Sequence, residues 1–330
     1  APGVYMNIRG TMIAVGTNSD QIIFTSRDDD SVGEIIAESD GDPNPGDWSN
    51  LYFQGNSSNQ GIANMDYCQV LYGGSNAIGN ASAMYMYNCD EGYVTNSMVK
   101  YSSQNGVYIY QVNDLTFDSN TVSDNANSGI LQYTGQVNIT NCQLDNNGEW
   151  PLRIDNSSLR DYAGNSGSGN NYDAIAIRGT VDQDMTISES ISGLPFVVNG
   201  LITVIKDISL TFLPGEIIKL TGGQITINGF LFCEGTDEAP ITFTSFKDDE
   251  TGGDLNNDGN LLTEPAPGDW YTINIRGNST NQGQAIIDHT IFKYGGANYS
   301  GEAATVYFYQ PDEGTITNST IMYSAQNGLR

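Results

Sequence analysis

Oxygen-bearing side chains alternate along one acidic segment, in which Asp254, Asn256 and Asp258 stand two residues apart and Gly259 follows. Calcium prefers about six to eight hard oxygen ligands, and a D-x-N-x-D-G loop can wrap three side-chain oxygens around one point while glycine makes the sharp turn. Pro265 stands where a bidentate glutamate would complete such a loop, so further ligands have to come from elsewhere. The sequence predicts a Ca²⁺ site here, with a solvated acidic turn as the alternative. The predicted ligands are Asp254, Asn256 and Asp258, helped by Asp248 or Asp249.

Another acidic segment, which comes earlier in the chain and is called the first acidic segment below, is a shortened version of the loop around Asp254. It carries three consecutive aspartates and then two more around a glycine, and the same chemistry predicts a weaker calcium site. Its candidate ligands are Asp28, Asp29, Asp30, Asp40 and Asp42.

Tyrosines recur at alternate positions of several short apolar runs. Successive side chains of a strand point to opposite faces, so these tyrosines are predicted to form two outward columns when the runs are stacked. Tyrosine is also common in strands for packing reasons alone. An aromatic strip of this kind could bind a glycan or a neighbouring protein subunit. The predicted ligand-binding residues are Tyr85, Tyr87, Tyr108, Tyr110, Tyr133, Tyr307 and Tyr309.

Candidates for catalysis are sparse, and we assign no catalytic residue. The single histidine, His289, aligns with Tyr67 in an internal repeat of the chain. Proton abstraction beside a carboxylate needs a positioned base and groups that neutralise charge. Arg153, Arg178 and Arg276 are suitable by residue type only. Whether the protein is an enzyme is left open, with a non-catalytic role favoured.

The elements that carry these residues follow from a long internal repeat. At an offset of 222 residues, 30 of 61 positions are identical between Gly46–Gly106 and Gly268–Gly328. We predict a first long repeat over residues 1–219 and a partial second repeat over 220–330. An activity placed in both copies should leave matched residues in both, which makes the repeat a test of function as well as of fold.

A shorter repeat lies inside the long one. The segments Val94–Tyr101, Phe117–Asp124 and Ile139–Asn146 superpose at steps of 23 and 22 residues, and each precedes another short apolar run. Short period-2 strands at this spacing leave no room for a crossover helix, so each coil has to be closed by the next. The prediction is an all-β, right-handed, single-stranded parallel β-helix of roughly 14 coils, continuous over residues 1–330.

The chain resembles the right-handed parallel β-helix repeat proteins of the pectin-lyase-like class, and in particular their secreted bacterial surface members. The resemblance rests on runs such as Ile225–Ser245, whose form Ile8–Ser26 repeats at an offset of 219. It implies the solenoid fold and a secreted or cell-surface location. It does not fix an activity, because one scaffold hosts many functions.

Net charge limits the possible partners. The chain has 12 basic and 39 acidic residues, a formal net charge of −27 and a pI near 4.1. Such a surface repels nucleic acid, and no apolar run is long enough for membrane insertion. We therefore expect a non-catalytic extracellular structural or adhesive β-helix stabilised by calcium. The alternatives are a polysaccharide lyase or epimerase, and a carbohydrate-binding solenoid. Neither end offers a cap, which suggests a segment of a longer protein.

Overall fold

The fold comes from a computed structural model that describes residues 3–75, 82–156, 160–259, 263–297, 301 and 303–330. The chain forms two compact units. The first comprises Ala1–Arg153 with Leu159–Asp173, and the second comprises Ile154–Ser158 with Ala174–Arg330. Each unit is built from short parallel strands. Most strands belong to a large sheet, and the rest form a separate four-stranded sheet in the first unit and a separate five-stranded sheet in the second.

Among its described residues, the first unit holds thirteen strands, the last of which runs into the second unit. They are β1 (Met6–Ile8), β2 (Thr11–Val15), β3 (Ile22–Phe24), β4 (Leu51–Gln54), β5 (Ile62–Asp66), β6 (Cys68–Leu71), β7 (Ser82–Tyr87), β8 (Gly92–Thr95), β9 (Met98–Lys100), β10 (Asn105–Asp118), β11 (Thr121–Ser123), β12 (Ile130–Thr140) and β13 (Leu152–Asp155). The long strands β10 and β12 pair with each other on both sides of a register shift between Val112 and Leu115. On its other side, β10 pairs with β7 and then with β8. All these pairings are parallel.

The second unit repeats the plan and contains one short helix, α1 (Glu189–Ser192). Its strands are β14 (Ile175–Val181), β15 (Met185–Ile187), β16 (Phe196–Val204), β17 (Ser209–Phe212), β18 (Ile217–Leu220), β19 (Gln224–Ile227), β20 (Phe230–Glu234), β21 (Ile241–Ser245), β22 (Ile273–Arg276), β23 (Gln284–Asp288), β24 (Thr290–Lys293), β25 (Ala304–Tyr309), β26 (Glu313–Thr317), β27 (Thr320–Met322) and β28 (Asn327–Leu329).

The register confirms the fold class predicted from the repeat. Phe117 pairs with Val94 on one side and with Ile139 on the other, and all three side chains are buried. The structure is an all-β parallel solenoid of about ten turns, roughly in line with the expected number. The difference arises because the long segments between β3 and β4 and between β21 and β22 contain no strand among their described residues. That the chain forms one continuous β-helix stays a prediction.

Two further features concern cysteines and membranes. All four cysteines, Cys68, Cys89, Cys142 and Cys233, are buried and free. Burial raises the pKa of the Cys142 thiol to about 12, since the thiolate would lose its hydration.

Within the described ranges, no helix has the length and apolar character needed to span a bilayer.

Buried asparagines link successive turns of the first unit. Asn125 donates from its backbone and its amide to Asn147 Oδ1, at 3.3 and 2.9 Å, and Asn147 donates in the same way to Asn170 Oδ1, at 2.9 Å each. The Asn147 amide also reaches the carbonyl of Val122. A buried turn leaves backbone groups without partners, and this amide ladder supplies them.

Replacing Asn147 with alanine is therefore expected to lower the free energy of unfolding by about 2–4 kcal/mol, because several buried groups lose their partners together. Urea unfolding measures the loss. Asn113→Ala is the matched control, since Asn113 is exposed and its side chain has only a long contact, 3.5 Å, with Asp90. Equal stability losses for the two variants would contradict the role of the ladder.

Candidate functional site

The acidic loop after β21 brings together three of the five predicted ligands. Carboxylate oxygens of Asp249, Asp254 and Asp258 lie within 4.8 Å of one another. The loop folds onto itself locally, because Asp254 accepts hydrogen bonds from the backbone nitrogens of Asp258 and Gly259, at 3.2 and 2.9 Å. Among the described residues, this is the one cluster of acidic, histidine or cysteine side chains with a spacing suited to a metal ion.

Two buried oxygens in this loop lack a hydrogen-bond donor. They are Oδ1 of Asp249 and Oδ1 of Asn256. The Asn256 amide nitrogen instead donates to Asp258 Oδ2 at 2.9 Å. Burial raises the pKa of Asp249, and the charges of Asp254 and Asp258 raise it further. Carboxylates that repel each other around buried acceptors could be stabilised by a hard cation.

A buried lysine lies beside the same carboxylates. Lys219, on β18, is fully buried and donates from Nζ to the carbonyl of Gly253 in the acidic loop. Burial lowers its pKa, while the charges of Asp249 and Asp248 oppose that change. The lysine partly balances the acidic charge. The sequence did not predict this contact. A single lysine in a strand gives no indication that its side chain will meet a loop that comes more than thirty residues later.

Asp248 is not part of the triad. Its carboxylate, 2% exposed, pairs with Lys293 Nζ at 2.7 Å and accepts a hydrogen bond from Thr244 at 2.5 Å. Burial alone would raise the pKa of Asp248, but the hydrogen bonds from Lys293 and Thr244 outweigh it, and the pKa is lowered. Asp248 thus ties the start of the loop to β21 and β24.

The first acidic segment keeps its predicted ligands apart. Asp29 is buried and accepts hydrogen bonds from Thr25 and Ser31, at 2.6 and 2.5 Å. The others have separate partners: Asp28 pairs with Arg27, Asp30 accepts from Ser39, and Asp40 accepts from the backbone nitrogen of Asp42. The five aspartates therefore form no shared centre in this structure.

The two acidic segments are closed by equivalent hydrogen bonds, although only the later one gathers its carboxylates. We call the residues that accept these bonds the loop anchors. Asp47 accepts from Ser26 at 2.6 Å and from the backbone of Asn44 at 2.9 Å. The equivalent Asp269 accepts from Ser245 and from the backbone of Ala266 at the same two distances. In the long repeat, these contacts close both loops in the same way.

A tryptophan follows each of these aspartates. Trp48 Nε1 donates to the carbonyl of Leu71 at 2.7 Å, and Trp270 Nε1 donates to the carbonyl of Lys293 at 2.8 Å. Trp270 is fully buried. Both indole groups therefore hold a long loop against the strands; the Trp270 ring is shielded from solvent, while the Trp48 ring is partly exposed.

The predicted tyrosine columns are present in the first unit. In one column Tyr85 stacks on Tyr108 with ring centroids 5.1 Å apart. In the other, Tyr110 stacks between Tyr87 and Tyr133, at 5.2 Å from each. Because neighbouring rings cover both faces of Tyr110, the column presents ring edges rather than flat faces to solvent.

Sequence reasoning missed the member that begins the first column. Tyr52 stacks on Tyr85 at 5.0 Å, and Tyr85 itself is only 2% exposed, so burial raises the pKa of its hydroxyl. In the second unit, the rings of Tyr307 and Tyr309 are tilted and 6.1 Å apart, and Tyr309 is 45% exposed. The strip is therefore best formed in the first unit.

Two of the residues considered for catalysis are engaged by neighbouring carboxylates. Arg178 forms a two-pronged ion pair with the nearly buried Asp155, at 2.7 and 2.6 Å, and both residues belong to the second unit. His289 lies between Asp237 and Asp288, 3.1 Å from each. These contacts commit both side chains to local partners.

Comparison with known proteins adds one match. Residues 45–191 match the family model of the right-handed β-helix region. This match and the parallel strands of the structure are consistent with a right-handed parallel β-helix repeat protein. No curated protein and no solved structure matches this β-helix.

Proposed function

We propose that this β-helix is a non-catalytic structural or adhesive protein of the cell surface or extracellular space, whose long acidic loop is fixed by calcium. Neighbouring protein subunits or a glycan would be its partners. One observation carries the proposal: the two long repeats keep the same loop anchors, whereas His289 and Arg276 of the second copy align with Tyr67 and Gln54 of the first. Asp269 makes the same contacts as Asp47. Such a repetition is expected if selection preserved the shape of the repeated unit.

The geometry of the second acidic loop supports the calcium part of the proposal. Asp249, Asp254 and Asp258 would supply carboxylate oxygens, and the unpartnered Oδ1 of Asn256 is a fourth candidate ligand. These are the hard oxygen donors that calcium prefers over softer ligands. The ion would neutralise the mutual repulsion that raises the pKa of Asp249. Its role would be to hold the loop rather than to react.

Adding calcium to the metal-free protein is expected to raise the melting temperature. An ion that binds only the folded state stabilises it by about 2.7 kcal/mol at a concentration one hundred times its Kd. Calorimetric titration measures binding, and a thermal scan with and without chelator measures stabilisation. Asp254→Asn should abolish both effects.

The control for this experiment is Asp30→Asn, which changes an aspartate of the first acidic segment that lies outside any cluster. It should bind calcium like the wild type. No heat on titration, together with an unchanged melting temperature in chelator, would remove the calcium site from the proposal. The same holds if both variants bind equally well.

The non-catalytic role has a separate test. Purified protein incubated with calcium and pectate, alginate or hyaluronan is expected to release no unsaturated product, followed by its ultraviolet absorbance. The reason is that Arg178 is held in a two-pronged ion pair with Asp155, which commits its charge to a local partner. Product that disappears in Arg178→Ala would establish a lyase instead.

A further inference from the structure

A short exposed loop recurs in both long repeats and carries a sequence pattern that the proposed function leaves unused. It comprises residues 56–61 (NSSNQG) and residues 278–283 (NSTNQG), which we call the asparagine loops. Each loop begins with Asn-x-Ser/Thr, the acceptor sequence for N-linked glycans.

The acceptor sequence alone does not single out these two loops, because it occurs seven times in the chain. Three occurrences include residues outside the described ranges: Asn80, Asn156 and Asn298. The other four are fully described: Asn56, Asn138, Asn278 and Asn318. The local structure at each of these four decides which asparagine is available.

The asparagine loops stand out from the strands. Residues 56–58 and 278–280 are all exposed. At the base of the first loop, a Cβ at Gly55 would lie 1.8 Å from the carbonyl oxygen of Asn88. At the base of the second, a Cβ at Gly277 would lie 1.9 Å from the carbonyl oxygen of Gln310. Each base is therefore pressed against the neighbouring backbone, while the asparagine side chain stays open to an enzyme.

The side chain of each asparagine is held by its oxygen. Asn56 Oδ1 accepts from the backbone nitrogen of Ser58 at 2.8 Å. Asn278 Oδ1 accepts from both the backbone nitrogen and the hydroxyl of Thr280, at 2.7 Å each. These contacts fix which amide atom is the oxygen, since a nitrogen cannot accept them. Within the described part of the chain, neither Asn56 nor Asn278 donates a hydrogen bond from Nδ2.

This arrangement prepares the amide nitrogen for transfer of a sugar. In the reaction, a bond forms between Nδ2 and the first carbon of the glycan, while the bond from that carbon to a lipid pyrophosphate breaks. The lipid pyrophosphate leaves, and an enzymic base takes one proton from Nδ2. Hydrogen bonds to Oδ1 draw electron density from the amide, which makes that proton easier to remove.

The other two described acceptor sequences have these groups engaged. Asn138 lies within β12, opposite Thr116, and the hydroxyl of its Thr140 is donated to Asp118 at 2.5 Å. Asn318 is exposed, but its Nδ2 donates to Asp288 Oδ1 at 2.9 Å. Either the amide or the hydroxyl would have to leave its partner before a glycan could be attached.

We propose that Asn56 and Asn278 are acceptors for an N-linked oligosaccharide, transferred from a lipid pyrophosphate donor. The inference rests on the extracellular location proposed above, because N-linked glycans belong to exposed loops of secreted proteins. The second repeat reproduces both the sequence and the geometry of the first. Each long repeat would therefore carry one glycan at the equivalent position.

The test incubates the folded chain with a purified oligosaccharyltransferase and lipid-pyrophosphate-linked di-N-acetylglucosamine, and maps the modified asparagines by peptide mass spectrometry. Synthetic peptides that carry the same four sequences give the reference yields. In the folded chain, Asn56 and Asn278 should be modified about as well as in their peptides. Asn138 and Asn318 should be modified roughly tenfold less than in theirs, because a hydrogen-bonded group has to be released first.

Thr280→Val keeps Asn278 but removes the hydroxyl of the acceptor sequence. It should abolish modification at Asn278 and leave the yield at Asn56 unchanged. Circular dichroism shows whether this variant is folded, and Asn278→Gln is a second variant of the same site.

Two results would overturn the proposal. Absence of transfer to Asn56 and Asn278 in the folded chain would show that the loops are kept for their shape alone. Equal yields at all four asparagines, relative to their peptides, would show that the fold does not select among them. The calcium titration and the absorbance assay do not involve these loops, so failure of the proposed function would be recognised separately from failure of glycan transfer.

Discussion

Replacing Trp270 with alanine is expected to reduce the free energy of unfolding by about 3–5 kcal/mol. The indole is fully buried and its nitrogen donates to the carbonyl of Lys293. Gly295 lies so close to the ring that a Cβ at that position would be 2.6 Å from it, which shows how tightly the strand end and the indole pack. Alanine would leave a cavity and an unpaired carbonyl together.

The same variant should release the acidic loop, since Trp270 and Asp269 are its C-terminal anchors. We expect new proteolytic cleavage between residues 246 and 269 under conditions that leave the wild type intact, and weaker calcium binding. Trp48→Ala is the matched control in the first copy; its indole is only partly buried, so the loss of stability should be smaller. An unchanged cleavage pattern for Trp270→Ala would show that the loop is held by other contacts.

Removing the positive charge of Lys293 should lower the free energy of unfolding by a similar amount. In Lys293→Met, Asp248 stays buried but loses its ion-pair partner, and an uncompensated buried charge costs about 3–5 kcal/mol. Lys100→Met is the control, because Lys100 forms a comparable pair with Asp124 at 3.0 Å, but Asp124 is much more accessible to water. The loss of stability in Lys100→Met should be below about 1 kcal/mol.

The pH dependence of these losses follows from the lowered pKa of Asp248. A carboxyl whose pKa is lower in the folded state contributes stability above its unfolded pKa of about 4 and loses it as the pH falls further. Without Lys293, the effect of burial, which raises that pKa, is opposed only by the hydrogen bonds from the two threonines, Thr244 and Thr251. The free energy of unfolding of the wild type should therefore exceed that of Lys293→Met most at neutral pH. The difference between the two should narrow as the pH is lowered. A gap that stays constant from neutral to acidic pH would contradict the ion-pair explanation.

The repeat was sufficient to predict the fold, because a solenoid is specified by local periodicity. The stack of Val94, Phe117 and Ile139 follows from their spacing alone, and so do the tyrosine columns. Each turn contacts mainly its neighbours. What periodicity could not supply was the environment of each ring, and the burial of Tyr85 became apparent only in the structure.

The acidic loop was predicted less completely than the strands. Its alternating pattern indicated Asp254 and Asp258, but the ion pair of Asp248 and the lysine beside the triad depend on other strands. The first acidic segment has the same residue types, yet hydrogen bonds from serine and threonine separate its carboxylates. Residue type and local spacing cannot reveal competition from other partners, so the difference between the two loops became apparent only in the structure.

The amide ladder in the first unit has a mechanical consequence. Because Asn147 bridges Asn125 and Asn170, a force that peels one turn away also breaks the hydrogen bonds that satisfy the next. Rupture should therefore proceed in steps of whole turns, and each step should need a similar load. A segment built this way would unfold one turn at a time under tension, and each unfolding event would dissipate energy while the remaining turns stay folded.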